Sequence, residues 1–237
     1  MIGVAQHDKV FVIELQRDER RNALNVELIR ALHSTVDEAV EAGARAIVIT
    51  GQGKAFCAGA DLDGSYDAGF IDALYSMLHN LVTLPVVVIG AINGPAIGAG
   101  TQLALACDLR VGDERAVFAV PTPRNGMATD DWTIQTLASV VGVGRARRLL
   151  LAAETFDVRQ ALDYGLVDRP GDLSAAIEWA QEIAQLAPLS LAYNKSVLNG
   201  ASKEVTDAGF AACWSSADVQ EGFKARAEKR NPVFTGR

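Results

Sequence analysis

The hydrophobic positions along the chain change period several times, and each change predicts an element. "KVFVIEL" (9–15) is a short apolar run bounded by polar residues and predicts a strand. In "NVELIRALHSTVDEAVEAG", Leu28, Ile29, Leu32, Val36, Ala39 and Val40 recur at helical spacing. Asn25 precedes that stripe as a candidate N-cap and Gly43 follows it, so a helix is expected between them. His33 falls off the stripe and reads as solvated.

"RAIVIT" (45–50) predicts a buried strand that ends in the glycine turn "GQG", and "VVVIGAI" (86–92), preceded by Pro85, predicts another. Between them Phe70, Leu74, Met77, Leu78 and Leu81 form the apolar face of a helix. From about residue 130 the pattern turns almost wholly helical. "WTIQTLASVVG", "GRARRLLLAA", "DVRQALDYG", "LSAAIEWAQEIAQLA", "PLSLAYNKSVLNG" and the closing stretch 203–229 all fit short helices, several ended by Gly. No fixed-length repeat and no Pro/Ser-rich linker divides the chain, so the expectation is one domain over 1–237 with a β/α front and a helical tail.

Composition narrows the function classes. The 237 residues are 49% apolar and 22% charged, enough to bury a core without disulfides. A net charge of −7 lacks the basic surface that nucleic-acid binding requires, so no nucleic-acid partner is expected. Cys57, Cys107 and Cys213 stand far apart with no C-x-x-C pair, which predicts buried free thiols rather than a disulfide framework or a metal site. The N-terminus does not have the pattern of a signal peptide, and the run around "LPVVVIGAI" is about half the length of a membrane span. A soluble, cytoplasmic protein is the expectation.

The glycines of "AINGPAIGAGTQLALACDLRV" (91–111) invite a phosphate-binding reading that fails on spacing. Gly98-x-Gly100 is followed by Leu103 where a dinucleotide fingerprint needs its third glycine, and counting from Gly94 there is no lysine for a P-loop. No G-x-S-x-G occurs, so a hydrolase nucleophile has no support. What remains is a strand that delivers a small-residue loop into a helix starting near Ala99. Such a helix start exposes unpaired N–H groups, and small side chains allow an oxyanion to reach them. The loop "KAFCAGADL" (54–62) has the same grammar. Two readings stay open on spacing alone: paired donors for a developing oxyanion, or loops kept small because two backbones pack closely.

"GQGKAFCAGADL" (51–62) followed by "PVVVIGAINGPAIGAGTQLALACDLRV" (85–111) resembles the enoyl-CoA hydratase/isomerase family, the crotonases. "RRNALN" (20–25), "VGVGRARRLLL" (141–151), "ALDYGLVD" (161–168), "NKSVLN" (194–199) and "EGFKARAEKRNPVFTGR" (221–237) extend the resemblance over almost the whole chain. It implies an α/β fold, a crotonase-like spiral of β-β-α units over about 1–190 with a C-terminal helical trimerisation region over about 191–237. It further implies homo-trimers or hexamers, and a fatty acyl-CoA thioester as ligand or substrate with no separate cofactor.

In such a protein the thioester oxygen would rest on the backbone N–H groups of Ala60 and Ala99. The coenzyme would meet Arg21, Ala23 and Leu24, and the backbone around Lys54, Phe56, Ala58, Asp61 and Leu62; Asp61 reads equally as a helix cap. The family's two catalytic glutamates fall on Gln102 and Thr122, neither of which accepts a proton at neutral pH. Asp130 matches the position of the working aspartate in the related chlorobenzoyl-CoA dehalogenases, yet Asp130 or Asp131 also fits the cap of the helix that follows, and the cap is the preferred reading. Trp132 reads either as a wall of the acyl pocket or as core. The expected function is an acyl-CoA-binding member of the family with little or no hydratase activity; the alternative is an enzyme with relocated chemistry centred on Asp130.

Overall fold

The computed structural model describes residues 1–61 and 68–237. Its front half alternates β1 (Ile2–His7), β2 (Val10–Leu15), α1 (Val26–Glu41), β3 (Ala46–Gly51), α2 (Ala68–Thr83), β4 (Val87–Ile92), β5 (Pro95–Ile97), α3 (Ala99–Ala106), β6 (Leu109–Gly112) and β7 (Val117–Ala119). Then follow α4 (Asp131–Val141), α5 (Val143–Leu150), β8 (Thr155–Asp157), α6 (Val158–Asp163), β9 (Arg169–Pro170), α7 (Leu173–Ala184), α8 (Pro188–Leu198), α9 (Lys203–Ser215) and α10 (Ala217–Glu228).

The main sheet has the order β1-β2-β3-β4-β6-β9 and is parallel except for the β1–β2 hairpin. A smaller sheet joins β5, β7 and β8. Strands β3 and β4 are buried along their whole length, as their unbroken apolar runs foretell. The period of two divides β2 between two cores. Val10 and Val12 face the layer covered by Ala176, Ala180 and Ile183 of α7, while Phe11, Ile13 and Leu15 face α1, Phe56 and Leu103.

Helix α1 begins where its cap is expected: the Asn25 side chain accepts the Leu28 N–H at 2.8 Å. His33 lies half-exposed, 3.7 Å from Asp37. Cys57 and Cys107 are buried free thiols whose pKa burial pushes up to about 12, and Cys213 is partly buried. Strand β1 is absent from the hydrophobic pattern because it is an exposed edge, with Val4 turned to solvent. It forms because Asp8, at φ 56°, lets the chain reverse and pair in register with β2. The helical tail carries two short strands, β8 and β9, that periodicity does not reveal. No helix among the described residues is long and apolar enough to cross a membrane.

Candidate acyl-binding site

The loop after β3 is held on both sides by backbone. Ala58 N–H donates to the Arg21 carbonyl (3.0 Å), Leu24 N–H to the Gly59 carbonyl (2.7 Å) and Asp61 N–H to the Leu24 carbonyl (2.8 Å). On its other side Cys57 N–H donates to the Pro95 carbonyl (3.1 Å) and Ile97 N–H to the Cys57 carbonyl (3.0 Å). Small residues are mandatory along this seam. A Cβ on Gly94 would stand 2.2 Å from the Lys54 carbonyl oxygen, and one on Gly100 would stand 2.0 Å from that of Cys57. Close backbone packing is therefore real, and it is also what brings the two loops together.

The same seam leaves two donors over. Gly98, at φ 54° and ψ −115°, turns its own N–H to the Ala119 carbonyl (2.8 Å) and its carbonyl to the Gln102 N–H (3.0 Å). Neither the Ala99 N–H, at the first position of α3, nor the Ala60 N–H donates to a backbone carbonyl among the described residues. Both residues line one cavity of about 580 Å³, with Phe70, Leu74, Tyr75 and Thr122 among its other walls. Gln102 lies one helical turn beyond Ala99 on the same face of α3 and lines it too. Among the described residues that wall carries no carboxylate, histidine, lysine or arginine.

Behind the wall lies a polar cluster. Asp130 caps α4, accepting the Thr133 N–H at 3.2 Å, so the preferred reading of the sequence holds. Its carboxylate also accepts the Thr133 hydroxyl and, at 3.1 Å, the Gln102 amide Nε2, which reaches Thr133 Oγ1 at 2.9 Å as well. Asp131 is exposed, so of the two aspartates Asp130 is the one turned toward the site. The Tyr75 hydroxyl adjoins the cluster. Burial raises its pKa and the Asp130 carboxylate adds to this, against a lowering hydrogen bond with Gln102. The Thr122 hydroxyl lies 3.3 Å from that of Thr129.

The other expected contacts divide. Arg21, in a left-handed conformation, and Lys54 are exposed on adjoining loops; Ala23, Leu24 and Phe56 are buried, so Phe56 offers a ligand only its backbone. Ala58 is half-buried on the cavity wall. Asp61 forms an ion pair with Arg17 at 2.6 Å, and Arg17 also donates to the Ala23 carbonyl at 2.9 Å. Leu62 lies outside the described residues. Of the two readings of Trp132 the core one holds: it packs against the main hydrophobic cluster and lines a recess beside Val82, Val140 and Leu198 rather than the acyl cavity. One residue's shift along α4 rotates a side chain by about 100°, and it is Thr133 that faces the site.

Periodicity also missed Asn22. This buried residue, at φ 57°, donates to the Gln52 and Ala55 carbonyls at 2.9 and 2.8 Å and ties the 20–25 loop to the 51–56 loop. Its only signal in the sequence is an amide inside "RRNALN", a residue type that tolerates left-handed backbone.

A mostly parallel sheet flanked by helices, with two small-residue loops that bring Ala60 and Ala99 to the wall of one largely apolar cavity, is the frame of the site. The family model for "Enoyl-CoA hydratase/isomerase" matches residues 5–237, and the chain belongs to that family. It is 50% identical over 242 residues to the "Probable enoyl-CoA hydratase echA6" of Mycobacterium tuberculosis, with 100% of each chain covered. A "Putative enoyl-CoA hydratase" of Thermus thermophilus is 36% identical, over 95% of this chain and 97% of its own. Among solved structures, the enoyl-CoA hydratase of Bacillus anthracis superposes with a TM-score of 0.90 at 30% identity, covering 100% of this chain and 99% of that one. The crotonase fold expected from the sequence is thus the observed one.

Proposed function

We propose that the protein binds fatty acyl-CoA thioesters, with the thioester oxygen on the Ala60 and Ala99 N–H groups, and that it hydrates enoyl-CoA poorly or not at all. One observation carries this reading: the cavity wall keeps the two backbone donors but, among the described residues, has no group that exchanges a proton at neutral pH. Retaining the carbonyl site without an acid or base favours binding of the ground state over turnover. Arg21 and Lys54, exposed on the adjoining loops, would meet the coenzyme's phosphates. The exposed Phe210, Trp214 and Phe223 of α9 and α10 support self-assembly through the C-terminal helices. The protein is read as cytoplasmic.

Ala99→Pro tests the site directly. Proline is tolerated at the first position of a helix and deletes only the donor. Calorimetry with octanoyl-CoA should show affinity falling by about tenfold or more, with the melting temperature little changed. Unaltered affinity would remove Ala99 from the site. The second reading, chemistry at Asp130, draws on that residue's contact with Gln102. It requires an enoyl-CoA turnover that Asp130→Ala abolishes.

A further inference from the structure

The Ala60 N–H owes its direction to Leu24. Leu24 N–H donates to the Gly59 carbonyl (2.7 Å) and Asp61 N–H to the Leu24 carbonyl (2.8 Å), so Ala60 and Leu24 pair as a parallel bridge one residue long. The Gly59–Ala60 peptide is trans, which sets its carbonyl and its N–H on opposite sides. With that carbonyl turned to Leu24, the Ala60 N–H points away from Leu24, and Ala60 itself lines the cavity. A bridge of two hydrogen bonds is weak alone, since even an isolated two-stranded hairpin is marginal in water. A second tie is needed for it to keep one geometry.

Arg17 supplies that tie. Its Nη1 donates to the carbonyl of Ala23, next to Leu24 on one side of the bridge, at 2.9 Å. Its Nη2 lies 2.6 Å from the carboxylate of Asp61, next to Ala60 on the other side. The two side chains are only 14% and 12% exposed, so this charge-assisted contact is shielded from water. Arg17 is itself anchored: its N–H donates to Asn22 Oδ1 (3.0 Å) and its carbonyl accepts the Asn22 N–H (2.9 Å). A planar guanidinium serves two acceptors in fixed directions, which an ammonium on a flexible stem does not. We infer that Arg17 and Asp61 are positioning residues that rivet this bridge and so aim the Ala60 N–H at the thioester oxygen. The aim at a thioester rests on the function proposed above. The Ala99 N–H does not depend on the rivet, because Gly98 and α3 set its direction.

Two measurements test this. The first needs no ligand. Hydrogen exchange at the Leu24 N–H, one of the two bonds of the bridge, should accelerate by about tenfold in Asp61→Ala, while exchange within β3 keeps its parent rate. Asp61→Asn keeps the shape and one oxygen for Arg17 but not the charge; it should show a smaller acceleration, about threefold, and decides the matter if the alanine variant does not fold. Unchanged exchange at Leu24 would overturn the rivet. The second is calorimetry with octanoyl-CoA and with S-octyl-CoA, the thioether that lacks the carbonyl oxygen. A change in how the coenzyme or the chain is held affects both ligands and cancels in their ratio. The parent should bind the thioester about tenfold more tightly, and Asp61→Ala should cut that ratio by about threefold or more. A variant that weakens both ligands alike would overturn the aiming role. A parent that binds neither ligand, or binds both alike, would overturn the aiming role together with the thioester reading, and exchange at Leu24 would still decide whether Arg17 and Asp61 close the bridge.

Discussion

Two buried polar clusters flank α3, and they are built to different ends. Beyond its C-terminus, Lys195 gives its ammonium to the Leu81 and Val86 carbonyls (both 2.9 Å) and to Asp108 (2.7 Å). Arg110 gives its guanidinium to the Leu166 and Cys107 carbonyls (2.7 and 2.8 Å) and lies 3.4 Å from Asp168. Burial raises the Asp108 pKa, and the Lys195 charge pulls it back down. Every donor of the Lys195 ammonium has an acceptor within the chain. Near the N-terminus of α3 the count differs: the Gln102 side chain is held by Asp130 and Thr133, but the Ala60 and Ala99 N–H groups have no backbone acceptor among the described residues. A saturated cluster fastens elements together; one with free polar atoms facing a cavity is waiting for a ligand.

The largest expected effect breaks the saturated cluster. Lys195→Met leaves the Asp108 carboxylate buried without its cation, and urea denaturation should show a loss of about 3–5 kcal/mol. The relative affinities for acyl-CoA esters should not move. A loss under about 1 kcal/mol would mean that the pair does not fasten α8 to the sheet.

Gln102→Glu perturbs the other cluster at lower cost. It replaces the Nε2 donor with a carboxylate facing Asp130, and at pH 7 the loss should be about 1–3 kcal/mol. The sign of its pH dependence follows. Two adjoining carboxylates raise the pair's folded pKa above the unfolded value, so the variant should regain stability as pH falls through that raised pKa. Adding Asp130→Asn should restore stability at neutral pH, with a coupling of about 0.5–3 kcal/mol in the double-mutant cycle. Additive losses would mean that Gln102 and Asp130 do not interact. A variant carrying glutamates at 102 and 122 should therefore also need Asp130 neutralised to keep its stability at neutral pH.

The smallest effect is on an exposed contact remote from both clusters. The Arg230 guanidinium, and after it the Val233 N–H, hold the Glu221 carboxyl down to about pKa 2 from 4.5. A depressed carboxylate stabilises above its unfolded pKa, so this contact is intact near neutrality and is lost as pH falls from about 4.5 toward 2. Hydrogen exchange at Val233 should accelerate across that window. Exchange that is flat over the same range would show that Glu221 does not hold the C-terminal segment.

What the sequence disclosed and what it withheld follow the same division. The β/α alternation, the Asn25 cap and the two glycine-rich loops are local patterns, and each is found where expected. The Asp130 cap is equally local and equally present. Features made by distant contacts were not legible. Thr133 and Tyr75 join the site only because α4 and α2 pack beside α3, and Asn22 bonds a loop some thirty residues away. Trp132 satisfied two patterns at once, so periodicity had no means to choose between them. Strand β1 packs only Ile2 against the core, is exposed over its last four residues, and depends on the register of its partner.

The central claim is a cavity that holds an acyl thioester but does not move its protons. The most direct test mixes the purified protein with trans-2-octenoyl-CoA, confirms saturable binding by calorimetry, and follows the absorbance of the conjugated thioester. Binding with no loss of absorbance beyond that of a protein-free control is the result this account predicts. Sustained loss of absorbance with multiple turnovers would contradict it.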